Sequence, residues 1–192
     1  MRVIAGIAKG TRLTRAPEGV RPVSDRVREG LFSSLGERAS DARVLDLYAG
    51  TGALGVEALS RGAAEAVFVD QNPRAAGAVR ENLARTGLAD RASVIRSDVR
   101  RYLDRAQGNE QPFDLVFMDP PYETDPVSVE AVLAVLGAGS LLREGATVVL
   151  TRRSKSSTLV IPVDWTVARR LAYGDSVVTL FRSRNLPSTL EV

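Results

Sequence analysis

The chain contains no cysteine and no histidine. Without cysteine there is no disulfide, no thiolate nucleophile and no Cys-based zinc site. Without histidine the commonest general base, the Ser-His-Asp triad and most transition-metal sites are excluded. Any chemistry must therefore rest on carboxylates, backbone groups, Tyr, Lys, Arg or an organic cofactor, and no metal is expected. No apolar run approaches the roughly 20 residues of a membrane span. Met1-Arg2-Val3-Ile4-Ala5-Gly6 offers no secretory hydrophobic core, so a cytoplasmic location without a membrane partner is the expectation.

What is present is ordinary for a globular protein: 44% hydrophobic and 26% charged residues in a length of 192, which suits one domain. The formal charge of +3 is unevenly spread. Residues 1–22 hold Arg2, Lys9, Arg12, Arg15 and Arg21 against Glu18 alone, so this arm nets +4 and the rest of the chain −1. A basic arm on a near-neutral body suggests a polyanionic partner, with a merely solvated segment as the alternative.

Arg2–Ile7 and Thr11–Thr14 are short β-like runs around Ala8-Lys9-Gly10, which predicts a small N-terminal hairpin. Ser24 is a good N-cap, and Val27, Leu31, Phe32 and Leu35 recur at helical spacing. After Asp41 strands and helices alternate. Strands are predicted at Arg43–Leu47, Ala66–Asp70, Ala92–Arg96, Phe113–Met118 and Ala146–Thr151. Helices are predicted at Ala53–Arg61, Pro73–Thr86, Val99–Ala106 and near Ser128–Gly137. This alternation predicts an α/β fold with a parallel sheet wrapped by helices. Trp165–Tyr173 and Ser176–Arg182 flank Gly174-Asp175 as a closing hairpin, which predicts an antiparallel edge strand. The chain divides into a basic arm at 1–22, one domain at 23–184 and a flexible tail at 185–192.

Two motifs concentrate the chemistry. Gly50, Gly52 and Gly55 satisfy G-x-G-x-x-G directly after a strand and before a helix, where glycines let backbone approach a ligand and let helix pack on strand. NAD and FAD binders share this motif. Asp46 at the strand end distinguishes this one, because a carboxylate there repels a pyrophosphate and welcomes a cation. Asp70 and Asp98 follow the next two strands. Each alone could be a helix cap, yet three acids at successive strand ends point to one ligand along the carboxyl edge of the sheet. Asp70 could accept ribose hydroxyls, and Asp98 an adenine amino group while Val99 offers backbone.

The second motif is Asp119-Pro120-Pro121-Tyr122 after the fourth strand. Two prolines stiffen the loop and remove its N–H groups, leaving the Asp119 side chain and Pro120 carbonyl as acceptors. A base amino group is a poor nucleophile, because its lone pair is delocalised into the ring. Accepting its hydrogens concentrates that pair on nitrogen as bonding proceeds, a stabilisation realised mainly in the transition state. Tyr122 can stack on an extruded base.

Together these residues resemble a class I, Rossmann-like methyltransferase of the amino-methylating kind. More narrowly the chain resembles the RsmD family of 16S rRNA guanine-N2 methyltransferases, from about Arg2 to about Arg182. The resemblance rests on Arg2–Gly6 with Lys9-Gly10, Arg21–Glu29 running into Leu31-Phe32, Leu45–Ala63, and Asp119–Tyr122. It implies a mostly parallel seven-stranded sheet with helices on both faces. It implies S-adenosylmethionine as cofactor, bound by Asp46, Tyr48, Gly50, Thr51, Gly52, Asp70, Gln71, Asp98 and Val99. Asp46, Gly50 and Gly52 would lie at the methionine end, Asp70 at the ribose and Asp98 at the adenine. Asp119, Pro120, Pro121 and Tyr122 would form the catalytic loop. Arg2, Lys9, Arg12, Arg15, Arg21, Arg26 and Arg28 are the expected nucleic-acid contacts. The expected partner is 16S rRNA within a partly or fully assembled 30S subunit, met by a monomer. The alternatives are a DNA adenine-N6 methyltransferase, for which a target-recognition domain has no room, an NAD(P)-dependent oxidoreductase, and a non-catalytic RNA-binding factor.

Overall fold

A computed structural model describes residues 1–14 and 23–183. The elements are α1 (Asp25–Leu35), β1 (Arg43–Leu47), α2 (Ala53–Ser60), β2 (Glu65–Asp70), α3 (Pro73–Thr86), β3 (Ala92–Arg96), α4 (Val99–Ala106), β4 (Phe113–Met118), α5 (Pro126–Ala138), β5 (Leu142–Arg153), β6 (Trp165–Tyr173) and β7 (Ser176–Ser183). Local chemistry sets several of the boundaries. Ser24 caps α1 by accepting from the Val27 amide. Asn72 caps α3 ahead of Pro73, and Gly87 ends that helix in the left-handed region.

The strands form one seven-stranded sheet in the order β3-β2-β1-β4-β5-β7-β6. β1 to β5 are mutually parallel, and β7 runs antiparallel between β5 and β6. The antiparallel strand is thus one place in from the edge, and its hairpin partner β6 is outermost. Strand order reverses between β1 and β4, so their carboxyl ends open a crevice, the place where ligands bind such sheets. Central strands are buried on both faces and read as continuous apolar runs. One core lies under α1, α2 and α3, with Phe32, Phe68 and Phe117. The other lies under α4 and α5, with Phe113, Met118 and Leu133. Among the described residues no helix is long and apolar enough to cross a membrane.

The N-terminal hairpin is less sheet-like than its sequence suggests. A single antiparallel bridge joins Arg2 and Arg12, supported by Val3 N–H to Thr11 O at 3.0 Å and Gly10 N–H to Val3 O at 2.9 Å. The amides that would extend the ladder are used elsewhere. Ile4 and Ala5 donate to the Glu57 carboxylate at 2.8 and 3.0 Å, and Ala8 donates to Ser60 Oγ at 3.0 Å. The hairpin is a strap laid on the last turn of α2. Gly6, at φ +83°, permits this contact, since a Cβ there would sit 1.7 Å from the Ser60 carbonyl oxygen.

Arg28 corrects an expectation. It is fully buried, so it cannot contact nucleic acid. Its guanidinium bonds Glu57 at 3.3 Å, Asp25 at 2.7 Å and the Arg2 carbonyl at 2.6 Å. The helical period of α1 turns this cation inward, where the buried Glu57 needs a partner. Arg61 adds a second bond to Glu57 at 2.7 Å. Arg15, Arg21 and the tail at 185–192 lie outside the described residues.

Removing one member of a buried ion pair strands the other charge. Arg28→Ala should therefore lower unfolding free energy by about 3–5 kcal/mol in urea titrations. Arg12→Ala, on the exposed side of the strap, should change it by less than about 0.5 kcal/mol. Equal effects would mean that Arg28 is no staple.

Candidate active site

The site is built where β1 and β4 part. After β1 the chain turns sharply, with Tyr48 at φ +58°, Gly50 at +58° and Gly52 at +73°. Tyr48 holds a conformation that side chains rarely adopt, a cost of order 1–3 kcal/mol that the surrounding contacts sustain. Two carboxylates pin the turn from outside it. Asp70 Oδ2 accepts from the Gly50 amide and Asp46 Oδ2 from the Gly55 amide, both at 2.9 Å. Gly55 is needed for the close approach of α2 to the sheet, since a Cβ there would meet the Phe68 ring at 2.3 Å.

Asp70 also accepts from the Asn72 amide at 2.8 Å, and Asp98 caps α4 by accepting from Arg101 N at 3.0 Å. Asp98 is thus a helix cap and Asp70 closes a local turn ahead of the Asn72 cap, and both still face the same space. A cavity of about 680 Å³ runs along the carboxyl ends of the strands and touches Asp46, Asp70, Asp98 and Asp119 together. Of the residues read as catalytic or cofactor-binding, Asp46, Tyr48, Gly50, Thr51, Asp70, Gln71, Asp98, Val99, Asp119, Pro120, Pro121 and Tyr122 line it. Gly52 does not, because it faces back toward Phe68 and Val79.

Burial sets the electrostatics of the site, and neighbouring carboxylates add to it at Asp46. Burial pushes the Asp46 carboxyl well above its usual range, the charges of Asp119 and Asp70 push it further, and the Gly55 amide opposes. Asp119 is raised to about 7 by burial, against a hydrogen bond from Thr151. Tyr48 is raised to about 12 by burial and by the Asp98 charge. A cation in the cavity would relieve Asp46, and a pyrophosphate would aggravate it. Tyr122 is fixed at the rim: its hydroxyl and Ser176 Oγ share a hydrogen bond at 2.9 Å, and the Arg153 guanidinium lies 4.5 Å from its ring centroid.

The basic residues separate into groups. Arg26, exposed on the first turn of α1, lines the cavity. Arg2, Lys9 and Arg12 are exposed on the strap, which is fastened to the last turn of α2 through Ser60 and, at Thr14, to Asn82 of α3, whose side chain also donates to the Thr51 carbonyl of the glycine turn. Several wall residues have no counterpart in the sequence reading: Thr151 and Arg153 at the end of β5, Glu123, and the β6–β7 tip from Ala172 to Ser176. Thr151 was reachable by the strand-end rule that found the acids. The tip was not, because it reaches the cavity through tertiary packing. Tyr173 fills the space above Gly30 of α1, where a Cβ would lie 1.7 Å from its hydroxyl.

A family model described as "Conserved hypothetical protein 95" matches residues 1–182. The ribosomal RNA small subunit methyltransferase D of Escherichia coli is 32% identical over 184 residues, covering 95% of this chain and 89% of that one. The chain belongs to the RsmD family. A Bacillus subtilis relative named "Putative rRNA methyltransferase YlbH" is 35% identical over 96% of this chain and all of its own length. Among solved structures, the "Putative methyltransferase yhhF from Escherichia coli" superposes with a TM-score of 0.85 at 33% identity, over 97% of this chain and 99% of that one. A more distant fold neighbour is "SMU.776, a putative methyltransferase complexed with SAH", with a TM-score of 0.67 at 17% identity over 85% of this chain and 50% of that one. The class I methyltransferase fold expected of an RsmD-family sheet is thus the fold observed.

The raised Asp119 value has a stability consequence. Its folded value lies above its unfolded one, so the unfolded state binds fewer protons between about pH 4 and 7. Stability is full below that window and is lost as pH rises through about 7. Asp119→Asn should therefore melt higher than the parent at pH 8, with the gap closing toward pH 4. A gap independent of pH would mean that the Asp119 charge is not the strained element.

Proposed function

We propose that this chain transfers a methyl group from S-adenosylmethionine to the exocyclic N2 of a guanine in 16S rRNA, during assembly of the small ribosomal subunit in the cytoplasm. The observation that supports it best is that Asp46, Asp70 and Asp119 share one cavity beside a rigid Pro120-Pro121 corner. The RsmD relatives, named as small-subunit rRNA methyltransferases, supply the substrate class.

The walls fit the cofactor. Its cationic sulfonium and ammonium match a cavity in which Asp46 is buried beside the charges of Asp119 and Asp70. Asp46 and the Gly50 turn hold the methionine end, Asp70 accepts from the ribose hydroxyls, and Asp98 with the Val99 backbone holds the adenine. When bound, the cofactor supplies an electrophilic methyl group. The chain's own residues do the rest. The Asp119 carboxylate and the Pro120 carbonyl accept the two hydrogens of the target amino group, which frees its lone pair for in-line attack on the methyl carbon as the carbon–sulfur bond breaks, with S-adenosylhomocysteine leaving and no covalent enzyme intermediate. As the nitrogen gains the methyl it becomes acidic, and its proton passes to Asp119 or to water. A carboxyl near 7 is matched to that task at neutral pH.

Incubation with labelled cofactor and unmodified small subunits, followed by mass mapping, should place one methyl on a guanine N2. Methylation of adenine, or none, would sink the assignment. Asp119→Ala should keep cofactor affinity in calorimetry and lose about 100-fold or more in turnover. Full turnover in that variant would remove Asp119 from the mechanism. For the parent enzyme kcat/KM should fall as pH drops below about 7, when Asp119 gains a proton.

A further inference from the structure

Among the described residues, six carboxyl residues line the cavity, Asp46, Asp70, Asp98, Asp119, Glu123 and Asp175, against two cations, Arg26 and Arg153. An acidic wall suits a cationic cofactor and opposes a polynucleotide. Presenting a base to Asp119 also brings the phosphates on either side of that nucleotide to the rim, where like charges repel. Something at the rim must offset this, and it must lie beside the acceptor loop.

Arg153 meets the requirement. It ends β5, is exposed, and lies with its guanidinium 4.5 Å from the Tyr122 ring centroid. Among the described residues no carboxylate stands within ion-pair distance of it. The contact with the ring steadies the guanidinium while its exposed side chain stays open to a ligand. The platform beneath is itself fixed. Tyr122 is tied to Ser176 Oγ at 2.9 Å, and Ser176 is the cross-strand partner of Arg153 in the β5–β7 ladder. The acceptor loop, the end of β5 and the start of β7 thus build one unit, three residues along the chain from Asp119.

We propose that Arg153, set over the Tyr122 ring, holds a phosphate of the RNA beside the base presented to Asp119, and is a substrate-positioning residue of this site. The inference rests on the methyl-transfer reading for its reaction and on the stack alone for its binding. A planar guanidinium meets two phosphate oxygens at once, which the point charge of a lysine cannot reproduce.

The test uses the full chain as Arg153→Ala, Arg153→Gln and Arg153→Lys. Binding of a mixed-sequence single-stranded RNA oligonucleotide is followed by anisotropy across a salt series. KM and kcat are measured on unmodified small subunits, and SAH affinity by calorimetry. The Ala and Gln variants should bind RNA roughly tenfold more weakly and lose about 0.7 from the log–log salt slope, with SAH affinity unchanged. Their KM should rise by a similar factor with kcat little altered. The Lys variant should restore the salt slope without restoring full affinity. Unchanged slope and RNA affinity in both neutral variants would overturn the proposal. So would loss of SAH affinity with an unchanged slope, since Arg153 would then support the cavity wall. If the parent chain binds RNA through Arg153 yet transfers no methyl, the methyl-transfer reading fails and the phosphate contact stands.

Discussion

The burial of carboxylates at the carboxyl edge of the sheet is the constraint on which the rest of this structure depends. Asp46, Asp70 and Asp119 stand at the ends of β1, β2 and β4, around the point where strand order reverses. Burial lifts Asp46 and Asp119 out of the ordinary carboxylate range, and their neighbours add to the shift on Asp46. Folding alone gains nothing from such an arrangement, because an unpaired buried charge is expensive. It becomes favourable when a cationic ligand enters. The backbone amides of Gly50 and Gly55 hold two of these acids in place in the meantime.

The opposite solution is used on the far side of α2. There Glu57 is buried too, but it is satisfied at once by Arg28, Arg61 and the amides of Ile4 and Ala5. One set of buried acids suits a cationic ligand, and the other is closed by the chain itself. The closed set fastens the N-terminal strap and α1 to the helix that begins at the glycine turn. The first turn of α1 and the β6–β7 tip, joined through Gly30 and Tyr173, then complete the wall facing the acids.

Much of this was legible along the chain. The strands Arg43–Leu47, Ala92–Arg96 and Phe113–Met118 and the helices Pro73–Thr86 and Val99–Ala106 have the bounds that periodicity and capping indicate. The strand-end acids and the Pro120-Pro121 corner were readable for the same reason: in a parallel sheet every strand end faces one edge. Arg28 was misread because its segment is basic and polar, and nothing local shows that Glu57, 29 positions away, is buried beneath it. The N-terminal β-runs were over-read, since their amides are claimed by α2 and not by each other.

The order of elements, the glycine turn and the residues of the acceptor loop were thus determined by the sequence itself, because they follow from short-range sterics, capping and hydrophobic period. Only the tertiary structure decided which cations face the cavity and which are spent inside. It also decided that Arg153 rests on Tyr122 and that a hairpin tip distant in sequence walls the site. Those outcomes turn on burial and on contacts between segments far apart along the chain, and no local pattern encodes the field that a buried carboxylate feels.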